Sequence, residues 1–297
     1  MRITQNITAQ NALYNIQQAR ARLDRLNLQA ASGNTINRPG DDPIGTRQLL
    51  DLDARLSQGE QYLSNITKAN VWQKMTETSL NGMFQMLALA RKEISSVTGG
   101  TSDPVIRQHA IEQFKAIKQQ IIDIANTKLG GQYIFGGFET RTPPFTNVDN
   151  LYHGSDDTLS IEIGVGTTIP LNVKGNDLLK GTGSYGSEDV LQAFDDMIAA
   201  VTANDPVAIS NAAQAITRSS DQVFTALSEV ESKIVRLDGM KNLIQSEQGA
   251  LTTVYANIQT VDLAKVGVEL QQGKVAFEAA LSATAKISQL SLLDYLR

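Results

Sequence analysis

The sequence predicts a mainly α fold, an elongated hairpin of long antiparallel helices with paired terminal coiled-coil helices and a small β-rich insertion at the tip. Three observations carry this. Apolar residues recur in steps of three and four along most of the 297 residues. One central block, residues 131–184, abandons that period. The helical seams are also arranged symmetrically about the block, weak at both ends and strong inside. A chain that goes out, turns through a β tip and returns would lay its termini side by side.

The first seam is Ala9, Ala12, Ile16, Ala19, Leu23, Leu26 and Ala30, an a/d pattern with polar residues between. Much of it is alanine, so the helix buries little area and needs a partner. It stops at "SGNTINRPGDDPIG", residues 32–45. Asp42 followed by Pro43 reads as an N-cap acceptor and a first-turn residue whose missing N–H costs nothing. The same pair recurs at Asp103-Pro104 and Asp205-Pro206, each ahead of a helical pattern. Asp41 adds negative charge near the same helix N-terminus. Asp41, Asp42 and Pro43 are therefore a helix-cap loop and not a cation site, because a calcium loop needs more alternating carboxylates.

From Pro43 the ladder runs Leu49, Leu52, Leu56, Leu63 and Ile66, weakens over residues 70–77, and resumes at Leu80, Phe84, Leu87 and Ile94. A turn at residues 98–103 leads to a helix carrying Ala110, Phe114, Ile117, Ile121 and Ile124. "GGQYIFGGFETRTPPF" then brings aromatics, glycines and two prolines, and "TLSIEIGVGTTIPLNV" alternates or clusters β-branched residues as strands do. Helical pattern returns at residues 187–201. The longest ladder follows, through Ile209, Ile216, Val223, Leu227, Val230, Ile234, Leu237 and Ile244 to Ile258. The last seam holds Leu263, Val266, Leu270, Phe277, Ala280 and Ile287, with Gly273 and Thr284 as weak members.

Composition excludes several classes. There are no cysteines, so disulfides, zinc thiolates and thiol nucleophiles are absent. A net charge of −5 gives no global sign of nucleic acid or of an acidic membrane surface. No stretch approaches the roughly 20 apolar residues of a membrane span, and no signal-peptide pattern opens the chain. The first 55 residues hold seven Arg and no Lys. Of these, Arg20, Arg22 and Arg25 read as solvated or as charge complementary to a neighbouring subunit. "GTGSYG", residues 181–186, matches GxGxxG but lacks the preceding strand of a dinucleotide site. His109 with Glu112 lacks a third metal ligand. No catalytic residue, cofactor or metal is expected.

The loop "AASGNTINRPGDDPIG", the segment "GGQYIFGGFETRTPPF" and the tail "LSLLDYLR" together resemble the flagellin family of bacterial flagella. The two prolines of the loop and "YIFGGFET" look most like that family's hook–filament junction members, with filament flagellin as the alternative. The resemblance implies a non-enzymatic subunit of a helical assembly, exported to the flagellum without a cleaved signal peptide. It implies as partners the first hook-associated protein, flagellin, copies of the chain itself and a flagellar export chaperone, and no nucleic acid or membrane. Three domains are expected: residues 1–35 with 264–297 for assembly, 36–130 with 185–263 as helical core, and 131–184 as a β-rich variable region. The large apolar groups of the ends, Ile16, Leu23, Leu26, Phe277, Leu281 and Ile287, are the candidate assembly contacts. Both ends are expected to be disordered in the free monomer, because each seam alone buries too little to offset ordering.

Overall fold

The computed structural model describes residues 2–98, 103–146 and 149–295, with the side chains of residues 1–6, 8, 9 and 287–297 outside the description. In chain order the elements are α1 (Arg2–Ser32), α2 (Pro43–Thr98), α3 (Pro104–Ala125), β1 (Lys128–Leu129), β2 (Gln132–Tyr133), β3 (Ser160–Gly164), β4 (Thr167–Pro170), α4 (Gly175–Leu179), α5 (Val190–Ala203), α6 (Pro206–Gln259) and α7 (Leu263–Tyr295). They fall into two compact units, Met1–Gln58 with Glu247–Arg297 and Gly59–Ser246. The fold is mainly α, as the periodicity predicts.

The Asp-Pro pairs start helices for the stated reason. Asp42 Oδ1 accepts the amides of Ile44 at 3.1 Å and Gly45 at 3.0 Å. Asp103 accepts from Val105 at 2.9 Å, and Asp205 accepts from Val207 at 2.9 Å and Ala208 at 3.2 Å. Two further caps lack the proline that makes such a start legible. Asp189 accepts from Gln192 at 3.0 Å, so α5 begins inside the expected span, and Asp262 accepts from Ala264 and Lys265 at the start of α7.

In the unit Gly59–Ser246, the core is built from Leu80, Met83 and Leu87 of α2, Phe114, Ile117 and Ile121 of α3, Phe194 and Met197 of α5, and Ile216, Val223 and Val230 of α6. Each such side chain contributes about 1.5–3 kcal/mol of transfer free energy. Ile134, Phe135, Phe145, Val173 and Leu178 from residues 131–184 belong to this same core. That segment therefore shares the helices' interior. It is also less β than expected: β1–β2 and β3–β4 are two separate antiparallel hairpins, and the apolar run after β4 ends in α4.

The weak stretch of α2, residues 70–77, is not a break. Gln73, Thr76 and Ser79 occupy the inward seam there and are buried. The Gln73 amide donates to the carbonyls of Pro170 and Leu171 at 3.1 and 3.0 Å, the edge of β4 and its exit. Of the three, Gln73 is the one that reaches the strand; the Thr76 hydroxyl donates to the Trp72 carbonyl within α2. Nearby, Tyr62 donates to Glu162 and Asn65 to the Glu162 carbonyl, tying the β3–β4 hairpin to α2. Tyr62, Ile66, Ile163, Ile169, Leu237 and Ile244 form a second, smaller core there.

In the other unit, α1 and α7 are helices packed on each other, which differs from the expected disorder. The physical reason is mutual cover: neither seam is stable bare, but each shields the other. Their direction is antiparallel, since Asn34 bridges Thr260 while Leu23 and Leu26 lie beside Gly273 further along α7.

Candidate assembly interface

The helix pair is held by a seam of modest side chains. Along α1, Ala12, Ile16, Ala19 and Leu23 are half-buried and Leu26 is buried. Along α7, Val266 is buried, and Leu270, Gly273, Phe277, Ala280 and Thr284 are half-buried. At Gly273 the helices lie close together: a methyl group placed on it would lie 3.2 Å from Leu23 Cδ2 and 3.7 Å from Leu26 Cδ1. The weak member of the seam is thus a site of close approach.

This placement sorts the expected assembly residues. Ile16, Leu23, Leu26 and Phe277 lie on the faces that α1 and α7 turn toward each other, so they are used within one chain. Leu281 lies off that seam and is 44% exposed. Ile287 belongs to α7, but its side chain lies outside the described residues.

The loop between α1 and α2 is a clasp. Asp41 Oδ2 accepts the amides of Arg38 at 2.9 Å and Asn37 at 3.3 Å. Arg25 Nη2 reaches from α1 to donate to Asp41 Oδ1 at 3.0 Å and to the Asp41 carbonyl at 3.1 Å. The Arg38 amide above all holds the Asp41 carboxyl below its ordinary value; desolvation opposes it next, and the Arg25 guanidinium and the Asn37 amide lower it further. Asp41 therefore binds its own loop and α1, where the sequence suggested only charge at a helix end. Arg25, read as solvated or inter-subunit, is engaged within the chain. Nothing local could reveal that pair, because its members stand sixteen residues apart.

The rest of the loop is fixed from both sides. Thr35 N donates to the Gln259 carbonyl at 2.7 Å, and Val261 N donates to the Gly33 carbonyl at 3.0 Å. Ile36 is buried against the first turn of α2, where a methyl group on Gly45 would lie 2.5 Å from Ile36 Cδ1. The ends of α1 and α6 and the starts of α2 and α7 are thus joined through backbone hydrogen bonds and two carboxylates.

The sites weighed for chemistry have structural occupations. "GTGSYG" follows helix α4, not a strand, and Gln222 ties together the residues on its two sides: its amide donates to the carbonyls of Leu178 at 2.7 Å and Glu188 at 3.0 Å and accepts from Glu188 N. Glu112 pairs with Lys115 at 3.0 Å, while His109 faces Glu93 at 3.9 Å. Among the described residues, no group of three His, Cys, Asp or Glu is placed to hold a metal, and no helix is long and apolar enough to cross a membrane.

Residues 3–140 match the family model of the bacterial flagellin N-terminal helical region. Across 99% of both chains, the sequence is 22% identical to flagellar hook-associated protein 3 of Salmonella typhimurium. It is 23% identical to flagellin of Bacillus subtilis over 97% of both. In fold it is similar to Bacillus cereus FlgL, with a TM-score of 0.60 at 22% identity, over 68% of this chain and 97% of that one. The likeness to the flagellin family read from loop and tail stands, and it extends to hook-associated protein 3 in sequence and to FlgL in fold.

Proposed function

We propose that this chain is a structural component of the bacterial flagellum, an adaptor at the hook–filament junction that joins the preceding hook-associated protein to flagellin. The observation that carries this reading is the terminal helix pair: α1 and α7 cover each other along one face and leave much of their remaining surface open. A pair built that way is half of a contact, and the full-length likeness to hook-associated protein 3 points to the kind of assembly that supplies the remainder.

In this reading residues 1–35 with 264–297 are the assembly domain, 36–130 with 185–263 the helical core, and 131–184 the variable region. The partners are the first hook-associated protein, flagellin, further copies of the chain and an export chaperone. The chain leaves the cell through the flagellar export route with no cleaved signal peptide. It performs no catalysis and needs no cofactor. Its work is mechanical, carrying load between two assemblies whose subunits differ.

The likeness to Bacillus subtilis flagellin supports a second reading, in which the chain builds the filament itself. Immunogold labelling of isolated flagella decides between them. A band confined to the hook end is the expected result; label along the whole filament would overturn the junction reading, and absence of label from flagella would overturn both.

A further inference from the structure

The buried seams of α2 and α6 both stop short over one stretch of each helix. Along α2, Leu49 and Tyr62 are buried and no residue between them is; Leu52, Leu56 and Gly59 are half-buried and the others exposed. Along α6, Ile244 is buried and none of residues 245–259 is; Gln248, Leu251, Tyr255 and Ile258 are half-buried. The two stretches lie side by side, since Gln248 Nε2 donates to the Leu56 carbonyl at 3.3 Å. The α2 stretch without a core is about 18 Å long.

Glycines mark the same place. Two glycines of α2 outside the stretch have packing reasons. A methyl group on Gly45 would lie 2.5 Å from Ile36 Cδ1, and one on Gly82 would lie 3.3 Å from Ile124 Cδ1. The glycines of α6 have none: a methyl group on Gly239 or Gly249 would meet nothing within 4 Å, and both residues are exposed. Alanine would fit both sites and hold the helix more firmly. Gly249 lies inside the coreless stretch of α6, Gly239 just ahead of it, and Gly59 inside that of α2.

We infer that residues 50–61 and 245–259 form a compliant waist, in which α2 and α6 bend together. Three observations carry this. A segment that encloses no side chain opens and distorts at low free energy. Glycines without a packing role stand where a helix bends most readily. The tie from Gln248 is polar, so water can replace it as the helices shift without uncovering apolar surface. The inference rests on the junction reading for its purpose alone. A subunit set between two assemblies must fit two sets of neighbours, and a waist lets the terminal helices and the helical core adjust separately.

The absence of cysteine allows spin labels to be placed at chosen positions. In the full-length chain, Arg236→Cys with Ala256→Cys spans the waist, and Asn211→Cys with Glu231→Cys spans the buried seam of the same helix. All four positions are exposed, and each pair is about 30 Å apart on a straight helix. Distances are read on the free chain by double electron–electron resonance, so the outcome is separate from the junction reading, which turns on the immunogold position. The waist pair should give a distribution about twice as broad as that of the control pair. In the Gly239→Ala/Gly249→Ala background it should narrow toward the control, with melting unchanged or raised. Equal widths for the two pairs would overturn the inference. So would a broad waist distribution that the two alanines leave unchanged, since the bend would then not arise at the glycines.

Discussion

The seams of α6 and α1 share a period and differ in fate. Along α6, Ile216, Val223, Leu227, Val230, Ile234 and Leu237 are all buried; along α1, Leu26 is buried while Ala12, Ile16, Ala19 and Leu23 are only half-buried. The cause lies in side-chain size and in the number of neighbours. The α6 seam is branched and bulky, and from Ile216 to Ile234 it meets α2, α3 and α5 in one continuous core. The α1 seam is half alanine and meets a helix with a glycine at a point of close approach. The same pattern thus makes a finished core in one unit and an unfinished surface in the other.

The first way to break that comparison is to attack the finished core. Phe114 is fully buried, so Phe114→Ala should cost about 3–5 kcal/mol, and Leu227→Ala about 2–5 kcal/mol, in denaturant unfolding. A loss below about half a kcal/mol at Leu227 would mean that α6 does not present this face to the core. Phe277→Asp, on the α1–α7 seam, should leave the main melting transition nearly in place while abolishing incorporation into flagella. Normal filaments from that strain would show that the pair is not needed for assembly.

A smaller effect is expected at the buried amide of Gln222. Gln222→Leu strands the carbonyls of Leu178 and Glu188, which should cost about 1–3 kcal/mol and speed hydrogen exchange over residues 178–188. Unchanged stability would place the load of that loop elsewhere. Asp42→Ala should cost about 0.5–2 kcal/mol through the cap of α2, with no dependence on added calcium or magnesium.

The smallest effect concerns Asp41. Its folded pKa lies below the ordinary 3.8, so the clasp is fully engaged above that value and is released as pH falls through the lower folded value. In an acid titration followed by NMR, the Arg38 amide should shift below pH 3.8, and the shift should vanish in Asp41→Asn. A midpoint at or above 3.8 would show that the carboxylate gains nothing from its amides and Arg25.

The helical frame is legible because its signals are local. Seams in steps of three and four locate every long helix, and three Asp-Pro pairs locate three helix starts. Asp189 and Asp262 cap equally well but lack the following proline, so their helices are located less sharply. Residues 70–77 read as a weakness because a polar residue on a seam signals solvent unless its partners are known, and those of Gln73, the carbonyls of Pro170 and Leu171, lie 97 and 98 residues away. The candidate site is legible in half. The terminal seam stands out, but the sequence assigns Ile16, Leu23, Leu26 and Phe277 to contacts between subunits, since it cannot say whether a seam closes within a chain or between chains. Arg25 with Asp41 leaves no trace at all, for the geometry that unites them comes from the turn of the loop.

The central claim is that the terminal pair is completed only by assembly, and hydrogen exchange measured on the free chain and on isolated flagella tests it most directly. In the free chain, amides of α1 and α7 should exchange far faster than those of α6 between Ile216 and Leu237; in flagella the terminal amides should become as protected as the core. Equal protection of α1, α7 and α6 in the free chain, or no gain in protection on assembly, would contradict it.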